Sequence, residues 1–261
     1  PEEPALAGLP SQINILLLGA DRRPWDRSYR TDTIILLTLN SDLGQVNITS
    51  FPRDLYITIP GFGMDRINTA WTHGGYNLLE QTFKHNFGIT PDYHVLVEFS
   101  SFKKIIDNMG GLDVTVAEPV SDYRAGYWVS IPKGKVHMDA DTVLWYVRTR
   151  KTTNDIARNR RQQEVLMALL TQVDRPSSLD GFRDLVNSLG RFVTADDGFG
   201  ADEIIQLAWD LRSLGAGDLD ALTLPVAISE EGGVSYVVAV EPDAATALAA
   251  FRAGEPLTAA V

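Results

Sequence analysis

Residues 13–23 read Ile-Asn-Ile-Leu-Leu-Leu-Gly-Ala-Asp-Arg-Arg, an apolar run of strand length that ends on glycine and passes straight into charge. A continuous apolar run, rather than strict alternation, marks a central strand covered on both faces. It is far too short to cross a bilayer. Working outward, Thr33–Leu39 and Val46–Ser50 read as further strands with Asn40–Gly44 as the turn between them. Pro52, in Phe51-Pro52-Arg53-Asp54, then ends sheet pairing. Leu79, Phe83 and Phe87 give Tyr76–Phe87 helical spacing, and Tyr93–Val97 is strand-like. Phe102–Met109 reads as a helix stopped by Gly110-Gly111, and Leu112–Val116 alternates as a strand.

Beyond these lies the clearest amphipathic helix, from about Asn154 to Val173. Two more helices are expected over Pro176–Leu189 and Asp202–Leu214, joined by a loop around Gly198-Phe199-Gly200. A β-pair of Leu222–Ile228 with Val234–Val240, turning at Glu231-Gly232-Gly233, precedes a last helix over Asp243–Phe251. Strands and helices alternate throughout. The expected class is α/β, with a mixed central sheet sandwiched between helical layers (α-β-α). Residues 1–12 read as a linker remnant and 13–255 as one domain. Its core motifs span 13–173, and the C-terminal helices and β-pair span 176–255.

Composition narrows the function. The chain is 44% hydrophobic and 22% charged, which is ordinary globular material. A net charge of −11 and a pI near 4.8 repel nucleic-acid phosphates, so no nucleic-acid partner is expected. With no cysteine, disulfides, thiolate nucleophiles and zinc-thiolate sites are excluded. His73, His85, His94 and His137 show no metal-binding spacing, and no Gly-x-Ser-x-Gly elbow, Walker loop or dinucleotide fingerprint is present. The chain starts at Pro1 rather than Met, which leaves room for a membrane anchor upstream.

Three charged clusters stand out against the acidic background. Asp21-Arg22-Arg23 follows the first strand and Arg30-Thr31-Asp32 precedes the second. Arg53-Asp54 follows the third strand. Arg148, Arg150, Asp155, Arg158, Arg160, Arg161 and Gln162 form the last cluster. Ligands of open α/β sheets bind at loops beyond strand ends, where the first two clusters lie. Planar, permanently charged guanidinium suits phosphate oxygens. Magnesium takes few carboxylates and completes its shell with phosphate and water, which makes Asp21 and Asp32 the candidate metal ligands. For any one of these residues, a surface ion pair between neighbouring Arg and Asp is an equally good reading.

Helical geometry sharpens the last cluster. Asp155, Arg158 and Gln162 share one stripe with Val165, Leu166 and Leu169, whereas Arg160 points the opposite way and Arg161 sits on the flank. A core-facing Arg158 needs Asp155, a bound anion or both, so a pocket is expected there. An internal ion pair without a ligand is the plainer alternative. The aromatic set Trp71, Tyr76, Phe83, Phe87, Phe99 and Phe102 reads as core in preference to lipid-pocket lining.

Taken in order, these motifs resemble the LytR–CpsA–Psr family. The series runs Asn14 to Arg23, Arg30-Thr31-Asp32-Thr33, Ser50-Phe51-Pro52-Arg53-Asp54, Arg66-Ile67-Asn68 and Asp107 to Gly111. It ends with Tyr146-Val147-Arg148-Thr149-Arg150, Asp155, Arg158 and Arg161-Gln162. The match covers about Ile13 to Val173 and is looser to Phe251. Arg66 stands where lysine is more usual, Thr31 and Ala20 where serine is frequent, and Phe51 where an aliphatic residue is. None of these departures removes a group the chemistry needs.

The resemblance implies an extracytoplasmic phosphotransferase with an apolar lipid groove, held at the bacterial membrane by an anchor outside this chain. Such an enzyme moves a glycopolymer from a polyprenyl-pyrophosphate carrier to a peptidoglycan hydroxyl. By the same resemblance Asp21 and Asp32 hold Mg2+. Arg23, Arg30, Arg53, Arg66, Arg148, Arg150, Arg158 and Gln162 take the pyrophosphate, and Arg53, Arg150, Arg158 and Asp155 are catalytic. Transfer of this kind is mostly positioning and charge stabilisation, for which an arginine cage with one Mg2+ suffices. Two other functions fit the same residues: hydrolysis of polyprenyl pyrophosphate, and a non-catalytic polyprenyl-phosphate-binding regulatory module.

Overall fold

The computed structural model describes residues 12–21, 31–40, 42–124, 126–149, 155–172, 183, 190, 194–195, 200–210, 215–231 and 233–253. The helix expected over 176–189, Arg183 apart, and the loop at 198–199 lie outside them.

The opening run forms β1 (Gln12–Ala20), which sits inside a six-stranded sheet. Its neighbours are β2 (Thr31–Asn40), antiparallel, and β6 (Tyr93–Glu98), parallel. β3 (Gln45–Ser50) pairs antiparallel with β2, β12 (Leu219–Thr223) parallel with β3, and β11 (Thr194–Ala195) antiparallel with β6. The order is β11-β6-β1-β2-β3-β12, a mixed sheet.

Successive side chains of a strand face opposite sides, so β1 and β2 feed two cores. Leu16, Leu18, Ile34 and Leu36 pack with Leu79, Phe83 and Phe87 of α1 (Ile67–Phe87). Ile13, Ile15, Ile35 and Leu37 pack with Leu166 of α4 (Asp155–Gln172), against which Ile204 and Leu207 of α5 (Ala201–Asp210) also rest. The sandwich of helices around a mixed sheet is therefore present, and its cause is the two-sided apolar pattern of the first strand. α1 starts nine residues before the expected Tyr76 and kinks at Gly74-Gly75, where Gly75 has φ 60°. The sequence reading caught only the second half.

A third core lies under α2 (Phe99–Asn108), α3 (Ala140–Arg148) and α4, with β7 (Leu112–Val116) paired to β10 (Gly134–Met138). Val120 and Ile131 of the hairpin β8 (Val120–Arg124) and β9 (Tyr127–Ile131) join it. A further hairpin, β4 (Tyr56–Ile59) with β5 (Gly63–Arg66), precedes α1. Neither hairpin nor α3 was expected from sequence. α3 is opened by Asp139, whose carboxylate accepts from Thr142 N at 2.8 Å.

The C-terminal β-pair differs from expectation. The run from Leu222 to Ile228 is not one strand: Leu219–Thr223 joins the large sheet, and β13 (Val226–Glu231) pairs with β14 (Val234–Ala239). Pro225, which has no N–H to give a ladder, sits at the break. α6 (Asp243–Ala253) follows as expected and places Ala244 and Leu248 against the α1 core. No helix among the described residues is long and apolar enough to cross a membrane.

Candidate functional site

The strand directions bring the charged clusters to one edge. β1 and β6 run parallel, β2 runs against β1, and β3 runs against β2. The end of β1 (Asp21), the start of β2 (Asp32), the end of β3 (Arg53) and the start of α2 after β6 (Phe99) therefore share that edge. A bulge helps: Gly19 pairs with Thr33 but Ala20 with Thr31, so Asp32 stands between two pairs. The strands approach closely here, and a β-carbon on Gly19 would lie 2.9 Å from Thr33 Cβ.

Arg53 is only 19% exposed in its side chain and forms an ion pair with Asp32. Its Nε lies 3.4 Å from Asp54 Oδ2 without a hydrogen bond, and Arg66 Nη1 reaches the other Asp54 oxygen at 3.5 Å. Burial on its own would lower the Arg53 pKa. The hydrogen bond to Asp32 and the charges of Asp32, Asp54 and Asp155 outweigh it and raise the pKa, so the guanidinium is permanently charged. Arg158 is buried at 6% side-chain exposure with Asp155 Oδ1 3.0 Å from its Nη1. Arg148 extends from the end of α3 with Nη2 3.2 Å from Asp21 Oδ2, and its guanidinium carbon sits 4.5 Å from the centre of the Phe99 ring.

Two adjoining cavities open here. The polar one is lined by Arg53, Arg148, Arg158, Asp32 and Gln162 with Thr33, Phe99 and Val147. Three guanidiniums line it, and their planar forks suit phosphate oxygens. The apolar one runs between the sheet and α2, α3 and α4, past Leu17, Ile35, Phe102, Ile105, Leu144 and Leu169. Thr33, Phe99, Val147 and Gln162 line both. A cationic mouth thus opens beside a greasy chamber, a shape suited to a molecule with a phosphate head and a hydrocarbon tail.

A scan against protein-family models matches the LytR_cpsA_psr family over residues 9–252. The chain belongs to that family. Among curated relatives, the polyisoprenyl-teichoic acid–peptidoglycan teichoic acid transferase TagU of Oceanobacillus iheyensis is 34% identical over 192 residues, covering 70% of this chain and 58% of TagU. TagT of Bacillus subtilis, which carries the same transferase name, is 33% identical over 188 residues, 69% of this chain and 58% of TagT. The regulatory protein MsrR of Staphylococcus aureus is 31% identical over 226 residues, 84% of this chain and 66% of MsrR. The chain thus spans about 58% of the length of the two transferases. Among solved structures, B. subtilis TagV superposes with a TM-score of 0.82 at 22% identity, covering 93% of this chain and 96% of TagV. TagT bound to LIIa-WTA superposes with a TM-score of 0.75 at 25% identity, covering 94% and 91% of the two chains.

Of the residues singled out from sequence, Asp32, Arg53, Arg148, Arg158 and Gln162 line the polar cavity of this family member directly. Asp21 reaches it through Arg148, Asp155 through Arg158, and Arg66 only through Asp54. Arg23, Arg30 and Arg150 lie outside the described residues. Arg160 faces outward to Glu118 at 2.6 Å, as its angular position implied.

Two readings change. Phe99 and Phe102 line the cavities instead of belonging to the closed core that holds Phe83 and Phe87; residue type alone does not separate those fates. Arg161, placed on the helix flank, is buried at 5% exposure. It donates to Tyr146 O at 2.8 Å and to Thr149 O. The signal that could have found it is the cluster's proximity to a helix end, whose last carbonyls lack partners of their own.

Proposed function

We propose that this chain transfers a glycopolymer from a polyprenyl-pyrophosphate carrier to a hydroxyl of peptidoglycan, on the outer side of the bacterial membrane. The observation that carries the reading is the junction of the two cavities at Thr33, Phe99, Val147 and Gln162. A diphosphate among Arg53, Arg148 and Arg158 leaves its prenyl tail pointing into the apolar chamber. The names of TagU and TagT supply the class of donor and acceptor.

In this reading the acceptor oxygen attacks the phosphorus that bears the glycan. The bond from that phosphorus to the bridging oxygen breaks, and polyprenyl phosphate leaves carrying the electron pair. The hydroxyl proton passes to a phosphate oxygen or to Asp32, the carboxylate that lines the cavity. Arg53 and Arg158 stabilise the charge that builds on the bridging and equatorial oxygens. Ion pairs with Asp32 and Asp155 hold both guanidiniums in place before substrate arrives.

The reading includes Mg2+, which the donor set supports. Asp21 and Asp32 flank the β1–β2 bulge at the mouth. Among the described residues no three acidic or histidine side chains gather into a self-sufficient cage. Magnesium takes few carboxylates and completes its shell with phosphate and water. Asp21 and Asp32 would hold it, and it would supply further neutralisation of the diphosphate.

The test is turnover by the purified chain of a lipid-linked glycan donor, with and without peptidoglycan and with and without Mg2+. Glycan covalently attached to peptidoglycan, dependent on Mg2+, is the expected product. Release of free glycan phosphate at the same rate in both cases would mean that water is the acceptor. Binding of the donor with no turnover under any condition would leave only a lipid-phosphate receptor.

A further inference from the structure

The last carbonyls of a helix have no partners within it, and a helix end buried beside a site must borrow donors. α3 ends at Arg148, and its partners are specific. Trp145 O accepts from Thr149 N at 2.9 Å, Tyr146 O from Arg161 Nε at 2.8 Å, and Val147 O from Gln162 Nε2 at 3.3 Å. Two neighbouring side chains of α4 thus cap α3. Arg161 uses a second nitrogen, Nη2, to donate to the Thr149 carbonyl. The Thr149 hydroxyl donates to Asp122, a carboxylate 3% exposed on β8. Every hydrogen-bonding group of Thr149 is therefore engaged: its N–H, its carbonyl and its hydroxyl.

Thr149 is the residue between Arg148 and Arg150, in an extended conformation with φ −63° and ψ 139°. The clamp fixes the C-terminal end of α3, and Arg148, its last residue, reaches from there to Asp21 and the Phe99 ring. Resting on the diphosphate reading above, we propose that Thr149, clamped by Asp122 and Arg161, is a positioning residue. It sets the direction in which Arg148 enters the polar cavity.

The chemistry of the clamp supports a role beyond filling space. An arginine and an aspartate buried near one another lose hydration that apolar side chains of similar volume would not. Burial lowers the Arg161 pKa, opposed by the charges of Glu164 and Asp122. What the charged pair offers is direction, because a planar fork can hold two carbonyls at fixed angles.

The experiment compares Thr149→Val, which keeps the shape and removes the donor, with Thr149→Ser, which keeps the donor. Arg161→Lys keeps the charge and removes the fork. Affinity for geranyl pyrophosphate is measured by calorimetry on each purified chain, with thermal melts to correct for any unfolded fraction. The expected result is a loss of about tenfold or more for Thr149→Val and Arg161→Lys, the scale of one charge-assisted hydrogen bond misplaced. Thr149→Ser should stay within about twofold of the parent, since its hydroxyl can still reach Asp122. Should Thr149→Val fail to fold, Arg161→Lys carries the comparison. Parental affinity in the folded variants, or a Thr149→Ser loss as large as that of valine, overturns the clamp alone. Failure of the parent chain to bind geranyl pyrophosphate overturns the diphosphate reading and the clamp with it.

Discussion

Leu169→Trp separates the two halves of the site. Leu169 lies on α4, lines the apolar cavity and packs against the core under α2 and α3. An indole there projects into space that a prenyl tail would fill and displaces roughly four of its carbons. At about 0.8 kcal/mol per buried CH2 the loss is about 3 kcal/mol, or ~10²-fold in affinity. The polar cavity shares no wall with Leu169, so affinity for inorganic pyrophosphate should not change. Calorimetric titration of parent and variant with geranylgeranyl pyrophosphate and with inorganic pyrophosphate reads both quantities. A thermal melt accompanies it, because overpacking costs about 1–3 kcal/mol where neighbours cannot yield. The reasoning is refuted if prenyl affinity stays within about twofold, or if both ligands weaken together.

Arg53→Ala should reduce transfer by about 10²–10³, the usual cost of removing one donor aimed at developing charge, with Arg53→Lys in between because it keeps charge without the fork. Steady-state transfer rates check this, and near-parental activity in Arg53→Ala would remove that side chain from the cage. A second prediction concerns pH. Burial raises the Glu164 pKa, although the hydrogen bond from Tyr146, the Ala117 amide and the charges of Arg160 and Arg161 pull it down. A carboxyl whose folded pKa is raised contributes stability that is complete below its unfolded value and is lost as pH climbs through the folded value. Glu164→Gln removes that titration, so its melting temperature should gain on the parent as pH rises from the ordinary glutamate value of about 4.3 into the neutral range. A gap that is constant or shrinks over that window would contradict the assignment.

How far the sequence leads depends on whether a property is carried by one element or by two. The sandwich was legible because the apolar run at Ile13–Leu18 demands cover on both faces, and the structure supplies α1 on one side and α4 with α5 on the other. Arg158 was legible because a charge on an apolar helical stripe needs a partner, and Asp155 is that partner. Arg161 was not. Its burial is set by the unpaired carbonyls of α3, an element the sequence reading had not found. The β8–β9 hairpin was missed for a similar reason: exposed aromatics stand on both its faces, Tyr123 and Trp128 on one and Tyr127 on the other, which blurs the alternation that marks a half-buried strand. The β12–β13 boundary was readable in principle, since Pro225 stands in the middle of the expected strand. Phe99 and Phe102 show the opposite limit. Whether an aromatic ring closes a core or walls a cavity depends on what lies across from it, here Leu17, Ile35 and Leu169.

The most direct measurement is a crystal structure of the chain with a polyprenyl pyrophosphate. The account predicts the diphosphate within hydrogen-bond reach of the Arg53, Arg148 and Arg158 guanidiniums and the tail running past Phe99 and Phe102 toward Leu169. Density for the phosphates away from those three arginines, or a tail lying outside the apolar cavity, would contradict it.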